Sequence, residues 1–173
     1  MSLEWTPVAG RPDLLAEPVA RAVRALEDPG RVLVAEIDPD LADTAAFCEK
    51  YGVSLEESAN CVVVAARRGG VTGYAACVVL ATMRVDVNNV VRKRLEARKA
   101  SFAPMAEAVE LTGMEYGGIT PLGLPEGWPV LVDTAVAQHP RVIVGSGVRR
   151  SKLSVPGATL AGLANAEVLS LAN

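Results

Sequence analysis

The alternation of apolar and polar positions divides the chain into short helices and strands in mixed order. Pro18 reads as the first helical position of a segment whose Val19, Ala22, Val23 and Leu26 share one face, closed by Asp28-Pro29-Gly30. Arg31 to Glu36 reads as a strand. Asp40 is a candidate N-cap for a short helix that places Leu41, Ala45 and Cys48 on one side and ends at Gly52. Asn60–Ala66 and Val71–Leu80 are apolar and β-branched, and Arg67-Arg68-Gly69-Gly70 between them predicts a hairpin. Asp86 caps an expected helix over residues 87–98, with Val87, Val90, Val91 and Leu95 inward. Pro104 opens another helix to about Thr112, and Gly113–Pro129 is irregular. Val130–Asp133 and Arg141–Gly145 read as buried strands, followed by the loop Ser146-Gly147-Val148-Arg149-Arg150. Without strict strand–helix alternation, the expected fold class is α+β around a mixed sheet.

Composition narrows the chemistry. The 173 residues are 50% hydrophobic but only 4% aromatic, so one domain with an aliphatic core is expected. A single histidine, His139, rules out sites with two histidine ligands. Cys48, Cys61 and Cys77 lack the two-residue spacing of zinc and redox motifs, and an odd count of scattered thiols suits a reducing cytoplasm. No apolar run approaches the ~18 residues of a membrane span, and the N-terminus lacks the pattern of a signal peptide. The chain reads as cytoplasmic, without membrane contact. Residues 1–60 carry a charge of −7 and residues 61–173 carry +4, so any polyanion would meet the second part.

The densest run of special backbone residues is Thr112-Gly113-Met114-Glu115-Tyr116-Gly117-Gly118-Ile119-Thr120-Pro121-Leu122-Gly123-Leu124. Adjacent glycines let main-chain N–H groups approach a phosphate, a carboxylate or a developing oxyanion, although a tight turn needs the same residues.

Three stretches in register, Gly117-Gly118-Ile119-Thr120-Pro121-Leu122-Gly123, Pro129-Val130-Leu131-Val132-Asp133 and Val144-Gly145-Ser146-Gly147-Val148-Arg149, resemble the successive signatures of the YbaK/EbsC/ProX family. These are editing domains that deacylate mischarged transfer RNA, free-standing or within prolyl-tRNA synthetases. The resemblance runs from about residue 32 to 171. It implies a mixed, strongly curved sheet flanked by helices, with residues 1–30 as a helical extension packed on an editing domain of residues 31–173. It also implies a pocket for the terminal adenosine and its esterified amino acid, needing no cofactor or metal. The expected partner is the aminoacyl-tRNA acceptor end, with a synthetase as a further candidate, and the oligomeric state is open between monomer and homodimer.

By the same resemblance the backbone of Gly117 and Gly118 lies beside the scissile carbonyl, and Thr120, Pro121, Ser146 and Gly147 border the substrate. The chain departs from the family at Asn60, where relatives carry a lysine, and at Lys152, where they carry an aspartate. Lys152 is read either as the cation that Asn60 cannot be, approaching from the opposite wall, or as a solvent-facing strand residue. Glu36 is a candidate for a substrate ammonium. Arg92 and Lys93, with Arg149 and Arg150, are candidate phosphate contacts. Cys61, next to Asn60, is read as a core thiol rather than a nucleophile. The expected activity is trans-editing hydrolysis of a mischarged aminoacyl-tRNA by oxyanion stabilisation and substrate-assisted attack. The alternative is a catalytically diverged module that binds an aminoacyl end, a nucleotide or a small amino-acid derivative.

Overall fold

The computed structural model describes residues 2–172, in which nine strands form two sheets. The first sheet has the order β1 (Thr6–Pro7), β2 (Leu33–Glu36), β8 (Ser151–Val155), β7 (Val142–Gly145), and every pair in it is antiparallel. The second has the order β5 (Lys99–Phe102), β3 (Ala59–Arg68), β4 (Val71–Leu80), β6 (Val130–Asp133), β9 (Ala166–Leu169), with parallel pairing of β4 with β6 and of β6 with β9. The helices are α1 (Glu17–Arg24), α2 (Thr44–Tyr51), α3 (Arg92–Arg94), α4 (Met105–Thr112), α5 (Thr134–Ala137) and α6 (Gly157–Ala161). The fold is therefore α+β, as the element order implies, with its strands divided between two sheets. No helix among the described residues is long and apolar enough to cross a membrane.

The main core is aliphatic. Val34, Val142, Val144, Leu153 and Val155 from the first sheet meet Val78, Val130 and Val132 from the second, and Val19 and Val23 of α1 close one side. Period-two alternation along β4 assigns its two faces: Val78 joins this core, while Cys77 and Val79 join Val64, Val91, Leu131 and Leu171 on the opposite side of the sheet. A third, smaller cluster of Ile37, Ala42, Phe47 and Cys48 lies under α2. The hairpin forms as expected, with Arg68 opposite Val71 and only Gly69-Gly70 in the turn.

Two local expectations are corrected. The helix over residues 87–98 is instead a π-turn, Val87–Val91, that runs into the short α3. Asp86 does cap it, accepting from the Asn89 N–H at 3.0 Å, but Glu96 adopts φ 53° and the Arg98 N–H donates to the Arg67 carbonyl. Residues 99–102 then pair with the free edge of β3, so ladder hydrogen bonds outweigh the local helical pattern. The second correction concerns α2, whose N-cap is Asp43 rather than Asp40. Pro39–Leu41 forms a 3-10 turn in which the Asp38 carboxylate accepts from the Asp40 N–H, delaying the helix. Ala42 is thereby left outside it, with its carbonyl available to another donor.

Asp133 shows how the motif around β6 supports the fold. Its buried carboxylate accepts from the Ala135 N–H, capping α5, and from the Leu171 N–H beyond β9, each at 3.0 Å. Replacing it with alanine removes a cap and strands a buried donor, an expected loss of about 3 kcal/mol. For a chain of this size that lowers the melting temperature by roughly 6–12 °C, measurable by calorimetry.

Candidate active site

A cavity of about 270 Å³ opens where the start of β3, the start of α2, the glycine loop and the β7–β8 pair converge. Its walls carry Asn60, Asp43, Thr44, Gly117, Ile119 and Lys152 among others. The volume lies just below the ~300–1,000 Å³ typical of pockets that enclose a whole drug-sized ligand, and so suits a small acyl group.

Lys152 reaches this cavity from β8, which lies between β2 and β7 with Lys152 opposite Ala35 on one side and Gly145 on the other. A central strand explains its burial, to 6% exposure, and disposes of the solvent-facing reading. Its Nζ donates to the Ala42 carbonyl at 2.7 Å and lies 5.4 Å from the centroid of the Phe47 ring. No carboxylate among the described residues forms an ion pair with it. Burial depresses the Lys152 ammonium to about 8, against smaller opposing effects of Cys48 and Asp43.

Asn60, the second residue of β3, faces the same cavity. Its Oδ1 accepts from the Thr44 hydroxyl at 2.7 Å, and its amide NH₂ has no protein acceptor among the described residues. Lys152 and Asn60 thus stand on different walls of one space. Cys61 also lines it, but burial of the thiol pushes its pKa up strongly, which disfavours the thiolate a nucleophile needs.

The glycine pair divides its work. Gly117 lines the cavity at φ 80°, and its N–H has no protein acceptor among the described residues. The Gly118 N–H is committed to the Glu115 carbonyl at 2.9 Å, while its own carbonyl accepts from the Gly147 N–H at 2.7 Å. A side chain at Gly118 would meet the Val148 backbone at 2.9 Å. Gly118 therefore positions the loop by close backbone packing, and Gly117 presents the available donor.

The other sequence candidates lie elsewhere or serve other contacts. Glu36 sits at the exposed end of β2, in a separate groove with Arg11, Asp38 and Tyr51. Thr120 is fully buried with no partner for its hydroxyl, and Pro121 borders a cavity against α1. The single Ser146 hydroxyl proton is shared between the Val148 and Ser151 carbonyls, each 3.1 Å away, and Gly147 packs against Ala16 and Val19, so both brace the loop from behind. Arg149 is a clamp: it donates to the Pro39 carbonyl at 3.1 Å and the Tyr116 carbonyl at 3.0 Å, and its N–H donates to Glu115. Arg150 is tied to the Asp13 carbonyl, and Arg92 to Asn88 and Ala97. Lys93 is exposed, with no protein partner among the described residues. His139 lies at the end of α5, outside this cavity.

Asp43, Thr44 and Met105 line the cavity without having been singled out from the sequence, and Ile119 and Gly145 line it from within the two glycine-bearing stretches. The signal for Asp43-Thr44 was a second Asp three residues beyond the one taken as the helix cap. A second cavity, of about 610 Å³, adjoins the first through Asn60 and Val62 and is bordered by Arg84, Asn88 and the exposed Phe102.

Comparison with known proteins bears on the fold and the family. The fold is similar to that of a protein assigned as a trans-editing enzyme for prolyl-tRNA synthetase, with a TM-score of 0.74 at 20% identity over 92% of this chain and 99% of that one. It is also similar to a hypothetical protein, with a TM-score of 0.79 at 22% identity over 91% of this chain and 100% of that one. The model of the aminoacyl-tRNA editing domain matches residues 38–163, and the chain belongs to that family.

Proposed function

We propose that the protein is a trans-editing hydrolase of the YbaK/EbsC/ProX type that removes a small amino acid from mischarged transfer RNA. The observation that carries this reading is the meeting of Gly117, Asn60 and Lys152, from three separated parts of the chain, around one small cavity. Water attacks the ester carbonyl carbon, the bond to the ribose oxygen breaks, and that oxygen leaves as a hydroxyl, releasing the free amino acid and intact RNA. The Gly117 N–H and the Lys152 ammonium stabilise the oxyanion, and the neighbouring ribose hydroxyl orients the attacking water. No imidazole or thiolate is required, because an aminoacyl ester is already activated.

The larger cavity beside Asn60 suits the terminal nucleoside, whose base can stack on Phe102 while Arg84 meets a phosphate. The test is a deacylation screen over mischarged transfer RNAs with Gly117→Ala as control. Metal-independent release of a small amino acid is expected, with kcat/KM falling about tenfold between 50 and 200 mM salt if two phosphates are held. A second reading, a binding module, is favoured by the amide that Asn60 offers in place of a cation. Binding of aminoacyl ends with no turnover of any of them would establish it and overturn the first.

A further inference from the structure

The reaction above leaves one charged group of the cavity unused. Asp43 is the only carboxylate in its lining, as Lys152 is the only cation, among the described residues. Although Asp43 is the N-cap of α2, its side chain accepts no capping hydrogen bond. Its nearest cation is the Arg149 guanidinium at 3.7 Å, a long ion pair in which the Asp43 side chain stays 61% exposed. Arg149 spends its shorter bonds on the Pro39 and Tyr116 carbonyls. Asp43 is thus held at the cavity mouth with lone pairs to spare.

Its position relative to Gly117 is specific. One carboxylate oxygen stands 3.3 Å from the point where a side chain on Gly117 would begin. An Arg149 nitrogen lies 2.5 Å from the same point and 3.7 Å from that oxygen, but it is committed to the Tyr116 carbonyl and offsets the carboxylate only in part. A carboxylate so close to a developing oxyanion opposes the reaction unless a further positive charge lies between them. The aminoacyl ester brings one. Its α-ammonium is bonded to the carbon next to the carbonyl, so the nitrogen and the carbonyl oxygen are roughly 3 Å apart. With the carbonyl at the Gly117 N–H, the ammonium falls within reach of Asp43, and the cavity's own charges match the dipole of the acyl group.

We propose that Asp43 receives the free α-ammonium of the aminoacyl ester and so restricts the site to acyl groups with an unblocked amine. This rests on the editing reading and adds a substrate class to it: α-aminoacyl ends are accepted, while N-acylated ends, such as formylated or peptidyl ones, are refused. Asp43 is here a specificity residue that touches substrate, and Arg149 is the residue that positions it.

The test uses the full chain and the best aminoacyl-tRNA of the screen, beside the same RNA carrying the matching α-hydroxy acid, which has nearly the same size but no charge. Each rate is divided by that ester's uncatalysed rate. The parent should favour the aminoacyl form by about tenfold or more, the range expected of a charge-assisted hydrogen bond. Asp43→Asn should raise KM for the aminoacyl form by a similar factor with little change in kcat, and bring the preference close to one. A parent that treats both esters alike, or an Asp43→Asn variant that keeps the preference, overturns the proposal. If the parent hydrolyses neither, the editing reading fails while Asp43 is still tested by binding. For that arm, 3′-alanylamino-3′-deoxyadenosine and its N-acetyl derivative are titrated against parent and variant. A preference for the free amine that disappears in Asp43→Asn supports the proposal, and equal binding or no binding of the two overturns it.

Discussion

Lys152→Met is expected to make the protein more stable and at least a hundredfold less active. Burial holds the Lys152 ammonium at about 8, against 10.5 for an unperturbed lysine, so the charged form is disfavoured in the folded state. Between those values the unfolded chain binds more protons than the folded one, and stability rises with pH through that window. Below about 8 both states are charged and the full penalty remains, an order of 3 kcal/mol. Methionine fills a similar volume without the charge and loses the bond to the Ala42 carbonyl and the cation–π contact with Phe47, which together are smaller than the penalty removed. A gain of about 1–3 kcal/mol near pH 7, or roughly 2–12 °C in melting temperature, follows.

The stability gain should shrink as pH rises from 8 to 10.5, because the parent lysine then folds neutral. Calorimetry of both proteins at pH 7 and pH 10 checks this, and an unchanged difference would remove the buried charge as its cause. Activity should move the other way. If the ammonium faces the oxyanion, the parent's enzymatic rate, corrected for alkaline hydrolysis of the ester, declines as pH passes about 8. A variant that deacylates as fast as the parent would show that Lys152 plays no part in the reaction.

Gly117→Ala is expected to abolish deacylation while leaving a folded protein. At φ 80° an added Cβ is strained by about 1–2 kcal/mol. It would also stand 2.5 Å from an Arg149 nitrogen and 3.3 Å from an Asp43 oxygen. The guanidinium is the far end of a flexible side chain and can withdraw at the cost of its bond to the Tyr116 carbonyl, so the stability loss should stay within about 2–3 kcal/mol. The site cannot absorb the change so easily. The methyl group occupies the space beside the proposed oxyanion donor, and removing one such donor alone lowers kcat by about 10²–10³. Gly118→Ala is the contrasting variant: its Cβ meets backbone atoms of Val148 at 2.9 Å, which cannot move aside, so it should fail in stability first. Comparing melting curves and single-turnover rates for the two variants separates the donor from the brace.

Much of this protein was legible in one dimension. The apolar stripe of α1, the β-branched hairpin and the buried strand at Val130–Asp133 are local patterns, and burial of their apolar faces is their main driving force. The two glycine-bearing stretches likewise marked the loops that border the cavity. Other features depended on partners distant in the chain. Lys99–Phe102 became a strand because β3 offered an open edge, and no local periodicity announces that. Lys152 could be placed on a strand from its surroundings, but whether it met water or a pocket was decided by β2 and β7 on either side of it. The same holds for Asp43, Arg149 and Gly118. A charged or glycine residue has one identity in sequence, but its role depends on which carbonyls and carboxylates the fold brings within 3–4 Å. The sequence by itself determined most of the elements, the aliphatic core and the resemblance to editing domains. Only the tertiary structure separated the glycine that faces the cavity from the one that braces it, and the arginine that clamps a loop from the lysine that meets no carboxylate among the described residues, because hydrogen bonds and ion pairs act at contact range between residues as much as 137 positions apart.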